Sequence, residues 1–392
     1  MISLARYADL LRLEEVRSAI AASLLGRLPI GITGLALLLY SQQVTGSFAR
    51  GGLVAAAYVT GLALLAPVLG RVIDRRGPHA PLLACAIVFP MALGGLLYAM
   101  EGGLWLAALA CASVAGASFP PITVCMRTFL RQRLRDEGML AAAYSIESVM
   151  IEGIFILGPV LVAILTAFVS PRASVLFAAL CAFAGTLLFL RSAALRAWRI
   201  EPRNTGTLFG PLARPGFPAL LAVVVCYAVA FGLVEIGTTA YAAEAGHPAA
   251  AGVLLGVMSI GSAAGGLVYG SRSWHLPLPR QFGWMLALMG LGVAPLALFE
   301  TLWLFGLWCL VAGIAMAPAL IIQSMLVAKT AEAQHATEAF TWTTTSLLAG
   351  VGLGLAGGGA LLESQSAATV FVAGAVLSLV ASALAFRLLR AA

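Results

Sequence analysis

The chain has 392 residues, of which 61% are hydrophobic and only 10% charged, with a formal net charge of +7. Mean hydropathy is +1.00. A soluble domain carries about 25% charged residues, so this composition excludes an ordinary cytosolic enzyme, and too few charges oppose collapse for disorder. Its class is a polytopic helical membrane protein.

A membrane-crossing helix needs about 20 mostly apolar residues. That rule places spans at 18–40, 51–72, 80–100, 103–127, 139–168 and 172–191. Six more follow at 217–241, 249–270, 281–299, 302–326, 337–361 and 366–388. The expected fold is all-α, with twelve transmembrane helices in two six-helix bundles, residues 1–191 and 217–392. A polar linker, 192–216, joins them, with Pro202, Gly206, Pro211 and Pro215 breaking any helix. The six cysteines fall in apolar stretches without paired spacing, and the four histidines in polar connections. Neither a disulfide framework nor a metal or cofactor site is expected.

Basic residues set the orientation. Arg71, Arg75 and Arg76 follow the second span, and Arg127, Arg131, Arg133 and Arg135 follow the fourth. Arg191, Arg196, Arg199, Arg203 and Arg214 fill the connection after the sixth, while Arg387 and Arg390 end the chain. The alternate connections hold Arg50 and Arg172 but also Glu101, Glu244, Glu300 and Glu363. This asymmetry predicts both termini in the cytoplasm and a place in the inner (plasma) membrane. The basic excess thus belongs to a face touching anionic lipid, not to a nucleic-acid partner.

The halves repeat at a shift of about 196–200 residues. Gly116-Ala-Ser-Phe-Pro-Pro121 matches Gly313-Ile-Ala-Met-Ala-Pro318; Ala143-Tyr144-Ser145 matches Ala339-Phe340-Thr341; Gly158 falls on Gly354, and Leu69-Gly70 on Tyr269-Gly270. Six spans per half make the repeat parallel, an architecture suited to rocking two bundles about a central site.

The segment Gly70-Arg-Val-Ile-Asp74-Arg75-Arg76-Gly77 resembles the signature loop of the major facilitator superfamily, with Pro78-His79 in place of a following basic pair. Gly70 suits close helix approach and Gly77 a tight turn. Asp74 is expected to meet the positive end of a helix from the other half, with Arg127 a second partner. By resemblance Gly70, Asp74, Arg75, Gly77 and Arg127 form a conformational latch of the outward-facing state. The run Gly153-Ile-Phe-Ile-Leu-Gly158-Pro159 is similar to that of proton-coupled exporters, although Val162 and Ala163 stand where a Gly pair would follow.

Four ionisable residues lie well inside the spans: Arg27, Glu147, Glu152 and Glu235. Arg27 and Glu147 sit at a matching depth, roughly 12–15 Å from the cytoplasmic side, and are expected to pair. Glu152, near the midplane, has no basic residue at its level; such a carboxyl spends much of its time neutral, as a proton carrier must. Glu147, Glu152 and Glu235 are therefore the proton-coupling candidates. Substrate-cavity candidates are Arg27, Tyr227, Phe231, Gln323, Trp342 and Thr343, where threonines can equally bond their own helix backbone.

The expected function is secondary active transport by alternating access: proton-coupled efflux of a small apolar or weakly cationic molecule. Alternatives are proton-coupled uptake of a small nutrient or of an organic anion held by Arg27, and a lipid translocator or non-transporting receptor. No Gly-x-x-x-x-Gly-Lys loop for ATP is present, and no enzymatic activity is expected. The expected partners are a small-molecule substrate, protons and membrane lipids, with the protein a monomer.

Overall fold

The computed structural model describes residues 5–200, 210–214, 216–247 and 250–389. Pro202, Arg203, Gly206, Pro215 and Arg390 lie outside the described residues. In chain order the helices of the first half are α1 Ala5–Arg12, α2 Glu14–Arg27, α3 Pro29–Thr45, α4 Phe48–Arg76, α5 His79–Glu101, α6 Trp105–Ala117, α7 Ile122–Arg133, α8 Glu137–Phe168, α9 Pro171–Leu190 and α10 Ala193–Arg196. Those of the second are α11 Phe217–Glu244, α12 Ala250–Gly270, α13 Leu278–Val293, α14 Leu302–Gly313, α15 Met316–Thr330, α16 Ala336–Leu362 and α17 Ala367–Leu388. Twelve helical stretches among the described residues are long and apolar enough to cross a membrane. Large apolar side chains such as Leu64, Met91, Leu106 and Trp303 remain exposed, as a lipid-facing surface requires.

The first, fourth and tenth spans are broken where proline interrupts the backbone ladder. The first changes from α2 to α3 at Leu28–Pro29, and the fourth from α6 to α7 across Ser118–Pro121. Pro120 and Pro121 carry no amide hydrogen, so the fourth span cannot continue as one α-helix. The tenth breaks between α14 and α15 at the repeat-related place, two residues before the turn holding Pro318. These breaks carry the fourth span to Arg133 and the tenth to Thr330, farther than apolar length alone indicates.

The repeat is built from paired close approaches. A Cβ on Gly116 would run into the Tyr58 carbonyl of α4, and one on Gly313 into the Met258 carbonyl of α12. The same helix–helix seam therefore occurs once in each half, with small residues bringing the backbones together.

With twelve crossings, both described chain ends fall on one face, here termed the terminal face. Helices α4 and α7 meet α16, and α8 meets α12 and α15, across the seam between the two sets of six spans. Among the described residues, the hydrogen bonds and ion pairs across this seam lie between the terminal face and the midplane.

Candidate functional site

At the terminal face the seam closes on the first turn of α16. The Asp74 carboxylate accepts the backbone N–H of Thr337 at 2.9 Å and of Glu338 at 2.8 Å. It thereby caps a helix belonging to the other half, satisfying two amides that the helix itself leaves unbonded and meeting the positive end of its dipole. Gly70, one turn earlier on α4, permits the approach: a Cβ there would lie 2.5 Å from Thr341 Oγ1 and 2.9 Å from the Glu338 Cα. Gly77, at φ +80°, ends α4. Residues Gly70–Arg76 are thus the last two turns of a helix rather than a loop, and only Gly77 makes the turn.

Two members of the expected latch stand elsewhere. Arg75 is exposed, and the arginine that engages the other half is Arg71, paired with the buried Glu338 at 2.6 Å. Depth explains the exchange: the two arginines are one turn apart on the same face of α4, and Arg71, the deeper one, lies level with the Glu338 carboxylate, whereas Arg75 stands a turn nearer the terminal face. Arg127 makes no bond to Asp74; the arginine of α7 that crosses the seam is Arg131, donating to the Ala331 carbonyl at 2.6 Å.

The repeat-related seam pairs α12 with α8. Ser145 donates to the Gly266 carbonyl at 2.7 Å, and a Cβ on Gly270 would lie 2.5 Å from Ser145 Cβ. Gly70 against Thr341 and Gly270 against Ser145 are one contact seen twice about the central axis. The second copy lacks the acid, since Trp274 stands at the repeat position of Asp74. Helix α1 reinforces it instead, with the Tyr7 hydroxyl donating to the Leu267 carbonyl at 2.7 Å.

Deeper in, Arg27 and Glu147 form a bidentate ion pair, each guanidinium Nη donating to one carboxylate oxygen at 2.9 Å. The side chains are 0% and 1% exposed, so Arg27 is not free to hold a substrate in this state. Glu152 makes a different contact. The Ser262 hydroxyl of α12 donates to its Oε1 at 2.6 Å, with Ser259 one turn away on the same helix. This carboxyl is therefore a tie between the two halves close to the midplane. Glu235 is exposed, on the stripe of α11 that also carries Tyr227 and Phe231.

Tyr227 and Gln323 are buried against each other, the phenol hydroxyl donating to the Gln323 Oε1, and Phe231 packs edge-on against Tyr227 with ring centroids 5.4 Å apart. Both are buried in this state, and the bond fixes the Tyr227 ring beside Phe231. Thr343 is buried and donates to the Ala339 carbonyl of its own helix at 2.7 Å, the alternative open to a helical threonine. Trp342 is half-buried, its indole Nε1 enclosed without a hydrogen-bond partner. Thr345, one of the hydroxyls around Trp342, reaches across the seam to the Ala63 carbonyl at 3.3 Å. Sequence reasoning missed Arg71, Glu338 and Ser262. Glu338 carried a usable signal, being an acid in the first turn of a predicted span; nothing local marks Ser262.

No curated protein matches the sequence. Among solved structures, the human organic anion transporter MFSD10 (TETRAN) superposes with a TM-score of 0.71 at 18% identity, over 95% of this chain and 99% of that one. A bacterial homologue of the iron transporter ferroportin in an outward-facing state gives 0.76 at 14%, over 95% and 98%. The E. coli fucose:proton symporter FucP gives 0.75 at 12%, over 95% and 97%. These likenesses establish the fold. The family model for the Major Facilitator Superfamily matches residues 19–276, and with twelve spans, a paired repeat and an Asp74-capped seam behind that match, the chain belongs to this superfamily of transporters.

Proposed function

We infer that this protein is a proton-coupled exporter of a small molecule, with Glu152 as the proton site. The observation that carries the reading is the Ser262–Glu152 hydrogen bond, which joins the two halves through a titratable group near the midplane. An ionised carboxylate accepts a stronger hydrogen bond than a neutral one. Proton uptake at Glu152 then loosens a tie that helps hold the terminal face shut. The excess of arginine in the connections on that face supports a cytoplasmic location for it and for both termini, in the inner membrane. On that orientation the structure is an outward-facing state, closed to the cytoplasm.

The cycle follows from these assignments. A proton from outside reaches Glu152, the Ser262 tie weakens, and the Asp74 cap and Arg71–Glu338 pair release as the halves rock. The proton leaves to the cytoplasm, substrate enters from that side, and return to the closed seam carries it out. The two six-span bundles, 1–191 and 217–392, act as the moving bodies within one monomer, and Glu235 gathers protons toward the outer vestibule.

The test compares wild type with Glu152→Gln in bacteria lacking their own efflux pumps, across a panel of toxic compounds. Wild type is expected to protect against at least one class, and Glu152→Gln to lose that protection while reaching the membrane at wild-type levels. Protection that survives the substitution would overturn Glu152 as the proton site. Sensitisation by wild type would overturn export in favour of uptake.

A further inference from the structure

Beside the Arg27–Glu147 pair lies Arg127, whose guanidinium makes no hydrogen bond or ion pair among the described contacts. Both Glu147 oxygens are bonded to Arg27, while the Arg127 Nε is enclosed with no hydrogen-bond partner and its side chain is half-buried. Arg131, one turn away on the same face of α7, bonds the Ala331 carbonyl across the seam, so Arg127 sits one turn inside the closed seal. Thr128 beside it faces Thr337 of the other half at 3.3 Å, which fixes this side of α7 against the seam.

Arg127 packs beside α8, where the Tyr144 hydroxyl donates to the Arg127 carbonyl at 3.3 Å, three residues before Glu147 on the same helix. Arg27 and Glu147 lie deeper along their spans than Arg127 does, and the enclosed Arg127 Nε keeps this guanidinium within the packed interior beside them. Two cations and one anion thus share this level, and the one carboxylate gives both of its oxygens to Arg27. An unpaired charge inside a span is costly and marks a functional group. The sequence reading expects an apolar or weakly cationic substrate, but in the structure Glu147 is taken up by Arg27, and Arg127 adds a second cation beside the pair.

We propose that Arg127 is the substrate-recognition residue of the central site and that the substrate is a small organic anion bearing a carboxylate or similar oxyanion. The planar guanidinium matches a carboxylate through two parallel hydrogen bonds. Tyr227 and its edge-packed neighbour Phe231 offer an apolar wall across the seam for the body of the molecule. Lying just inside the seal, Arg127 is among the first groups met by a molecule entering when the terminal face opens. This proposal rests on the transport reading above and supplies its substrate class.

The test is anion binding by purified full-length protein in detergent, read as the thermal unfolding midpoint. Benzoate and octanoate are the probes; benzamide and benzylammonium are size-matched controls without negative charge. Wild type is expected to show a saturable rise of about 1–2 °C at tenfold excess over Kd with at least one anion and none with the controls. Arg127→Lys keeps a reduced rise, and Arg127→Gln loses it while still eluting as a single species. Equal shifts with benzamide, no shift with either anion, or a rise that survives Arg127→Gln would each overturn the proposal. A lowered midpoint in Arg127→Gln with an unchanged anion response would make Arg127 only a structural counter-charge to Glu147. The assay uses no proton gradient, so it fails independently of the Glu152 experiment.

Discussion

The Arg27–Glu147 pair offers a quantitative check on how the interior is held together. Both groups are sealed from solvent, and each carboxylate oxygen is 2.9 Å from a guanidinium nitrogen. Removing one partner strands a buried charge, which costs about 3–5 kcal/mol, whereas replacing both with apolar side chains of similar volume is close to neutral. Glu147→Met and Arg27→Met should therefore each destabilise by that amount. If the two effects were additive the double variant would lose about 6–10 kcal/mol; the pair predicts a loss under about 2 kcal/mol instead. Denaturant unfolding of the four proteins in one detergent measures the cycle. Additive losses, or single variants that each lose less than about 1 kcal/mol, would refute the reasoning. Because α2 and α8 both belong to the first half, the double variant should also keep the seam closed.

Asp74→Asn removes the charge that caps α16 and leaves one acceptor oxygen for two amides. The cap should weaken by about 1–2 kcal/mol, shifting the seam toward opening. Maleimide labelling of Cys125, which is 0% exposed on α7 behind the seal, should then rise several-fold; an unchanged rate would show that the cap does not control opening. Gly116→Val places side-chain atoms where the Tyr58 carbonyl sits, and overpacking of this kind costs about 1–3 kcal/mol. A matching loss for Gly313→Val against Met258 is expected from the repeat, and unfolding midpoints unmoved by either substitution would count against these contacts.

Much of the fold was legible because the membrane restricts what a chain can do. Backbone groups in lipid must be satisfied within a helix, so apolar length alone gives twelve spans, and the arginine distribution gives an expected orientation. The half-chain shift was readable from Gly116 with Gly313 and from Gly70 with Gly270, since close backbone approach tolerates so few residue types that the matches persist. Depth counting was enough to suggest Arg27 beside Glu147, because two opposite charges at one level inside a bilayer have little choice of partner.

Side-chain pairing was a different matter. Arg71 and Arg75 are one turn apart on the same face of α4, and only position along the helix brought Arg71, not Arg75, level with Glu338. The α6–α7 break likewise carried Arg127 into the fourth span, inside the seal and away from Asp74. Thr343 and Glu152 show the same limit: one hydroxyl returns to its own backbone, and one carboxyl finds Ser262 more than a hundred residues away. Composition and periodicity determined that this chain is a twelve-span membrane protein with an internal repeat. Which polar groups neutralise each other, and which charge is left over, was decided only when the two halves were brought together, because hydrogen bonds reach about 3 Å and depend on packing that no local pattern encodes.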